Sequence, residues 1–142
     1  MSTTLQAGQI TYQTRIIDVD RDEIITRTAW PTRAPGLAVS RAYHPCPARD
    51  GKEACWILVH VRSGQRFPFC WDSIDGAEAF ADRAAELGRW DVDEAAVSRR
   101  CALLWVQRRL TRDAYDLGAW PHQGPSGTTG LDNPLPAEGQ HR

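Results

Sequence analysis

Apolar and polar residues alternate in two runs near the start of the chain, at residues 9–18 and 23–30. Because successive side chains of a strand point to opposite faces, Ile10, Tyr12 and Thr14 fall on one face of the first run. Both runs are rich in threonine and isoleucine, and a short polar segment separates them. This pattern predicts a β-hairpin.

Three further strands are predicted between the hairpin and the helical part of the chain. Residues 37–43 alternate again after a proline-rich break. Residues 55–61 form a nearly continuous apolar run, which is typical of a strand buried on both faces. Residues 66–71 return as a fifth strand, and Pro68 within it indicates an edge position or a bulge. Together with the hairpin, these runs predict a largely antiparallel sheet of about five strands.

Helical periodicity begins after the last predicted strand. Small and apolar residues recur at helical spacing over residues 75–87, with Asp75 as the expected cap. A second helix is expected over residues 93–110, capped by Asp91 or Asp93. The sequence therefore predicts an α+β fold in which two C-terminal helices pack on one face of the sheet.

Length and composition indicate one domain. The chain has 142 residues, of which 25% are charged and 42% hydrophobic, and this is enough to bury a core without disulfides or metal. Residues 1–117 are predicted to form that domain, and the Gly/Pro-rich residues 118–142 a tail that is flexible or partner-bound. The start of the chain lacks a signal-peptide pattern and no apolar run reaches membrane-spanning length, so the cytoplasm is the expected compartment.

Large aromatic side chains are expected to fill the space between the sheet and the helices. The chain has six tryptophans and three phenylalanines, and it has little other apolar bulk to bridge these layers. Since aromatic side chains bury the largest areas, Trp56, Phe80 and Trp105 are predicted to lie in the core.

Charge is distributed in zones, although the net charge is only -1. Residues 71–98 sum to -6, whereas residues 99–112 sum to +5. The arginines of the second zone are expected either to complement a helix dipole or to contact a partner. On one continuous helix, Arg100, Arg108 and Arg112 would form a broad basic face. The candidate binding residues are these arginines and the polar residues near the turn at 62–66. They are Arg62, Gln65, Arg66, Arg99, Arg100, Arg108, Arg109 and Arg112.

Metal-capable side chains occur in the middle of the chain, at His44, Cys46, Cys55, His60 and Cys70. Their spacing does not match the Cys-x2-Cys pattern of structural zinc sites, so core or loop positions are favoured and no metal is expected. The spacing also fits no disulfide framework, and reduced thiols are the default. The sequence lacks the Gly-rich loops that cradle phosphates, and no cofactor is predicted.

The stretch from Trp56 to Gly64 reads Trp-Ile-Leu-Val-His-Val-Arg-Ser-Gly, and an Ala-rich helix and Arg-Trp-Asp follow it. Residues 55–92 resemble small proteins of actinobacterial phages and integrative elements, in which a Trp-x-Leu-x-His-x-x-Ser/Thr-Gly hairpin precedes an Ala-rich helix and an Asp-Trp. The resemblance implies a structural hairpin and helix without catalytic residues. The same order of elements is similar to that of the arm-binding domains of phage integrases, whose three-stranded sheet enters the major groove of DNA.

Zoned charge without a catalytic constellation favours a non-enzymatic binding protein of a bacterial mobile element or phage, which acts through a protein partner. One alternative is a weak nucleic-acid-binding regulator that uses the hairpin 62–66 and the basic helix 99–112. A second alternative is a small enzyme that uses His60 with a cysteine.

Overall fold

The computed structural model describes residues 7–18, 20–43 and 55–121. These residues form a five-stranded antiparallel sheet and three α-helices, which confirms the predicted α+β class. The strands lie side by side in chain order, so the sheet is a meander in which each strand pairs with the next. Its strands are β1 (Ile10–Asp18), β2 (Arg21–Pro31), β3 (Leu37–Arg41), β4 (Trp56–His60) and β5 (Gln65–Arg66).

The predicted fifth strand is divided in two at Pro68. After β5 the chain continues as β6 (Phe69–Cys70), which pairs antiparallel with β7 (Trp120–Pro121) in a second, two-stranded sheet. Proline lacks the N–H that a continuous ladder needs, which explains the interruption. Trp120, which belongs to the predicted tail 118–142, pairs with Cys70 in this second sheet and is buried. Residues 122–142 lie outside the described part of the chain.

The first helix, α1 (Ile74–Ala84), has its cap two residues before the predicted one. Ser73, not Asp75, caps it, and its hydroxyl accepts a hydrogen bond of 3.2 Å from the N–H of Gly76. A serine in extended backbone just before the first turn satisfies a donor that the helix itself leaves unpaired. One 3₁₀ turn, Ala85–Leu87, extends the helix to the predicted end.

The second predicted helix is two helices, α2 (Glu94–Cys101) and α3 (Leu104–Asp116). Asp93 caps α2 as predicted, but Leu103 adopts an extended conformation and interrupts the helix. One continuous helix would place Arg108 on the same face as the buried Cys101, seven residues earlier. The break rotates α3 so that it buries Val106, Leu110 and Ala114 instead. The prediction of a single helix 93–110 was therefore wrong.

Both faces of the central strands are covered. Leu37, Val39 and Leu58 contribute to the core on the helical side, where Phe80 is fully buried as predicted. On the other side Ile57 and Val59 pack with Tyr12 and Trp120. Trp56, which was predicted to lie in the core, is only half-buried and packs at the edge of the core on the helical side.

The sheet is curled, so that β1 contacts the turn that follows β4. The Thr14 hydroxyl donates a 2.6 Å hydrogen bond to the carbonyl of Gly64. Tyr12, Thr14 and Ile16 are buried, so β1 alternates as predicted, and the structure shows which of its faces is inside. Gly64 has a φ of 74°, and a Cβ atom there would lie 1.9 Å from the carbonyl oxygen of Gln13. Glycine at this position therefore permits the close approach of β1 to the turn.

Candidate interaction surface

The break between α2 and α3 brings three large apolar side chains to the surface. Leu103, Leu104 and Trp105 are 48%, 51% and 59% exposed. The prediction that Trp105 lies in the core was therefore wrong, because the rotation of α3 directs Val106 inward instead. Adjacent apolar side chains in water are unfavourable, and such patches commonly mark interaction sites.

Arginine side chains flank this apolar patch along α3. At about 100° per residue, Leu104, Arg108, Arg112 and Trp105 fall within an arc of about 100° on one side of the helix. Leu104, Trp105, Arg108 and Arg112 also line one hollow of the surface, together with Arg109. We call Leu103, Leu104, Trp105, Arg108 and Arg112 the α3 surface.

Arg109 stands beside the α3 surface but is engaged within the fold. It donates hydrogen bonds to the carboxylates of Glu86 and Asp113, and Asp113 is buried. Arg83 of α1 binds the same Asp113 carboxylate at 3.1 Å. Arg112 lies farther away, at 3.8 Å from an Asp113 oxygen, and its side chain is mostly exposed. Arg109 therefore joins α3 to α1, while the Arg112 side chain extends into solvent.

The predicted basic face is not continuous. Arg100 belongs to α2, where its guanidinium lies over the ring of Trp90, 4.7 Å from the centroid. It also donates to the carbonyl of Arg89, so its role is to hold the loop before α2. Arg99 is exposed in the last turn of α2. Because the helix is broken, Arg100 does not share a basic face with Arg108 and Arg112.

The remaining candidate residues lie at the β4–β5 turn. Arg62 and Gln65 line a separate hollow with Ile24 and Glu94, while Arg66 is half-buried in β5. The turn residues and the α3 residues thus belong to two different hollows of the surface rather than to one site.

His60 is a structural residue at the end of β4. Its Nε2–H donates to the carbonyl of Trp90 at 2.9 Å, so its Nδ1 accepts from the Ser63 hydroxyl at 2.7 Å. The Ser63 oxygen in turn accepts from the N–H of Gln65. The His-x-x-Ser-Gly turn and the tryptophan of the resemblance motif are therefore joined by hydrogen bonds.

Ser63 and His60 are as close as a catalytic nucleophile and its general base. The backbone N–H groups around them, however, already donate hydrogen bonds within the fold. The N–H of Gly64 donates to the His60 carbonyl, and that of Val61 donates to Gly36. With the Gln65 N–H on the serine itself, these three groups are not available to stabilise an oxyanion. The ring nitrogens of His60 also contact Ser63 and Trp90 rather than a thiol.

Burial lowers the pKa of His60 below its ordinary value of 6.5, so the neutral ring is favoured in the folded protein. The unfolded chain takes up a proton at this residue below about pH 6.5. We therefore expect His60 to make its full contribution to the free energy of unfolding above about pH 6.5. That contribution should be lost as the pH falls from 6.5 toward the lowered pKa of the folded protein. Urea unfolding of wild type and His60→Asn across a pH series measures this.

The wild type should lose more stability than His60→Asn as the pH falls, because the variant has no ring to protonate. Subtracting the two curves cancels the contribution of the carboxylates that both proteins share. Parallel curves below pH 6.5 would show that folding does not lower the pKa of His60.

Comparison with protein-family models, with curated proteins and with solved structures finds no match. None of the three helices in the described part of the chain has the length and apolar character that crossing a membrane requires. Sequence reasoning identified Arg108 and Arg112 but missed Leu103 and Leu104, whose apolar character is equally compatible with a buried helix face.

Proposed function

We propose that this chain is a non-enzymatic binding protein that docks a protein partner on the α3 surface. The observation that carries the proposal is the exposure of Leu103, Leu104 and Trp105 directly beside Arg108 and Arg112. Tryptophan and arginine are the residue types that most often dominate binding energy at protein interfaces. Covering the three apolar side chains removes them from water, which is the main favourable term in such association.

The charge of the α3 surface indicates the chemistry of the partner. Arg108 and Arg112 are exposed and positive, so a complementary segment presents carboxylates beside apolar side chains. An apolar side chain of the partner would pack on Trp105 and Leu104. The proposed partner is therefore a protein segment that carries both acidic and apolar residues.

Nucleic acid is the less favoured partner. Two exposed arginines on this surface would release few counterions, whereas duplex-binding proteins typically neutralise several phosphates. A phosphate backbone also offers nothing apolar to cover Leu103 and Leu104. The resemblance of residues 55–92 supports a phage or integrative element as the source, and the cytoplasm of its bacterial host as the setting.

Site-specific photocrosslinking tests the docking surface. Benzoylphenylalanine is placed at position 104 and, in a matched control, at position 24, because Ile24 is also exposed, at 68%, but lies on β2. Crosslinking in host cells should join position 104 to a defined protein, while position 24 should not capture that protein. The affinity of the purified partner is then measured for wild type, Trp105→Ala and Ile24→Ala.

Trp105→Ala should weaken binding by about 30-fold or more, the effect of a dominant interface residue. Arg108→Ala with Arg112→Ala should also weaken it, and more strongly at low salt. Ile24→Ala should bind as wild type does. Equal losses for Trp105→Ala and Ile24→Ala would rule out this surface, and submicromolar binding to labelled duplex DNA at physiological salt would make nucleic acid the partner.

A further inference from the structure

Two thiols on the side of the sheet away from the helices lie unusually close together. The Sγ atoms of Cys55 and Cys70 are 2.9 Å apart, and both residues are buried. Cys55 directly precedes β4, and Cys70 is the second residue of β6. The two thiols are thus fifteen residues apart in the chain and in direct contact in the fold.

The backbone on both sides holds the two cysteines in place. Trp56 and Trp71, their neighbours in the chain, exchange two hydrogen bonds of 2.8 and 2.9 Å. Cys70 is also paired with Trp120 of β7. Both cysteines belong to the same apolar cluster as Trp120, so their side chains lie on one side of the sheet.

We propose that Cys55 and Cys70 form an intramolecular disulfide when the protein meets a low-molecular-weight disulfide of the glutathione class. One cysteine thiolate attacks the small disulfide, expels one small thiol and leaves a mixed disulfide. The second cysteine thiolate attacks the protein sulfur of that mixed disulfide and expels the second small thiol. The protein thus loses two electrons and two protons, and the small disulfide is reduced to two thiols.

Little rearrangement separates the two states. A disulfide bond is about 2.0 Å long, so the sulfurs must approach by roughly 0.9 Å. The bond would link the start of β4 to β6, and through the Cys70–Trp120 pair it would act where the C-terminal segment joins the domain. A bond between Cys55 and Cys70, fifteen residues apart, would restrict the conformations of the unfolded chain. This restriction is how disulfides commonly stabilise proteins.

Thiol counting under controlled redox conditions tests the proposal. The purified full chain is equilibrated with reduced and oxidised glutathione, then denatured and labelled with a maleimide of known mass. Two of the four cysteines should be lost to labelling, and peptide mapping should link Cys55 to Cys70. The oxidised protein should melt about 5–10 °C higher than the reduced protein.

Cys101→Ser is the matched control, because Cys101 is buried in α2 within the core on the helical side of the sheet. It should oxidise as wild type does, whereas Cys55→Ala and Cys70→Ala should each retain all their remaining thiols. The same redox mixture is also applied during refolding from the reduced, denatured chain, so that slow access to buried thiols cannot hide the reaction.

Three results would overturn the proposal. The first is full labelling of all thiols after both native equilibration and refolding. The second is a link that joins Cys46 to either cysteine. The third is a bound zinc ion that protects Cys55 and Cys70 from labelling until a chelator removes it, which would make the pair part of a metal site.

Discussion

Trp90→Ala is expected to lower the free energy of unfolding by about 4 kcal/mol, within the range for truncating a buried tryptophan. Trp90 is almost fully buried, and its ring packs edge-on against Phe67 with centroids 5.4 Å apart. Its Nε1–H donates to the carbonyl of Ala84 at 2.8 Å. The variant therefore has a cavity and also leaves a buried carbonyl without its donor. Urea unfolding followed by circular dichroism measures the loss.

The matched control for this prediction is the same replacement at an exposed tryptophan. Trp105→Ala should leave the unfolding midpoint nearly unchanged, because the Trp105 side chain is mostly in water already. Trp90→Phe should lie between wild type and Trp90→Ala, since it fills part of the cavity but cannot donate to Ala84. Equal midpoints for Trp90→Ala and Trp105→Ala would contradict the position assigned to Trp90.

Gly64→Ala is expected to cost about 4 kcal/mol through two separate effects. The φ of 74° is a left-handed conformation, which costs a residue with a Cβ atom about 1–2 kcal/mol. The added Cβ would also lie 1.9 Å from the carbonyl oxygen of Gln13, so β1 must move away from the turn. Forcing backbone apart in this way costs about 1–3 kcal/mol more. Thermal or urea unfolding gives the total.

Gly118→Ala separates the two effects. Gly118 has a similar φ of 86°, but a Cβ atom there would have no neighbour within 4 Å. Its replacement should therefore cost only the conformational part, about 1–2 kcal/mol. If Gly64→Ala proved no more destabilising than Gly118→Ala, β1 would not approach the turn as closely as the structure shows.

Local patterns were sufficient to predict most of the sheet. The alternation in residues 9–18 correctly placed Tyr12 and Thr14 on one face of β1, and the apolar run at 55–61 correctly predicted the strand β4, which lies between two other strands of the sheet. These features depend on neighbours two residues apart, so a single sequence contains them. The pairing of Cys70 with Trp120 connects residues fifty positions apart, and no local pattern encodes it.

The candidate site could be predicted only in part. Charge counting located Arg108 and Arg112, because a run of arginines is visible without a structure. The exposure of Trp105 depends on the break at Leu103, where the buried face of the helix changes register. Apolar residues at helical spacing predict a core face by default, and only the packing of Val106 and Leu110 shows which side of α3 is inside.

The break at Leu103 also separates the proposed docking surface from the residues that stabilise the fold. Leu104 and Trp105 contribute little to the core, since both are at least half exposed. Under the proposed docking role, substitutions there would alter affinity or partner choice while the fold keeps its free energy of unfolding, because sites without shared contacts act independently. A chain built in this way can follow changes in a partner's sequence by single replacements on α3, without compensating mutations in the core.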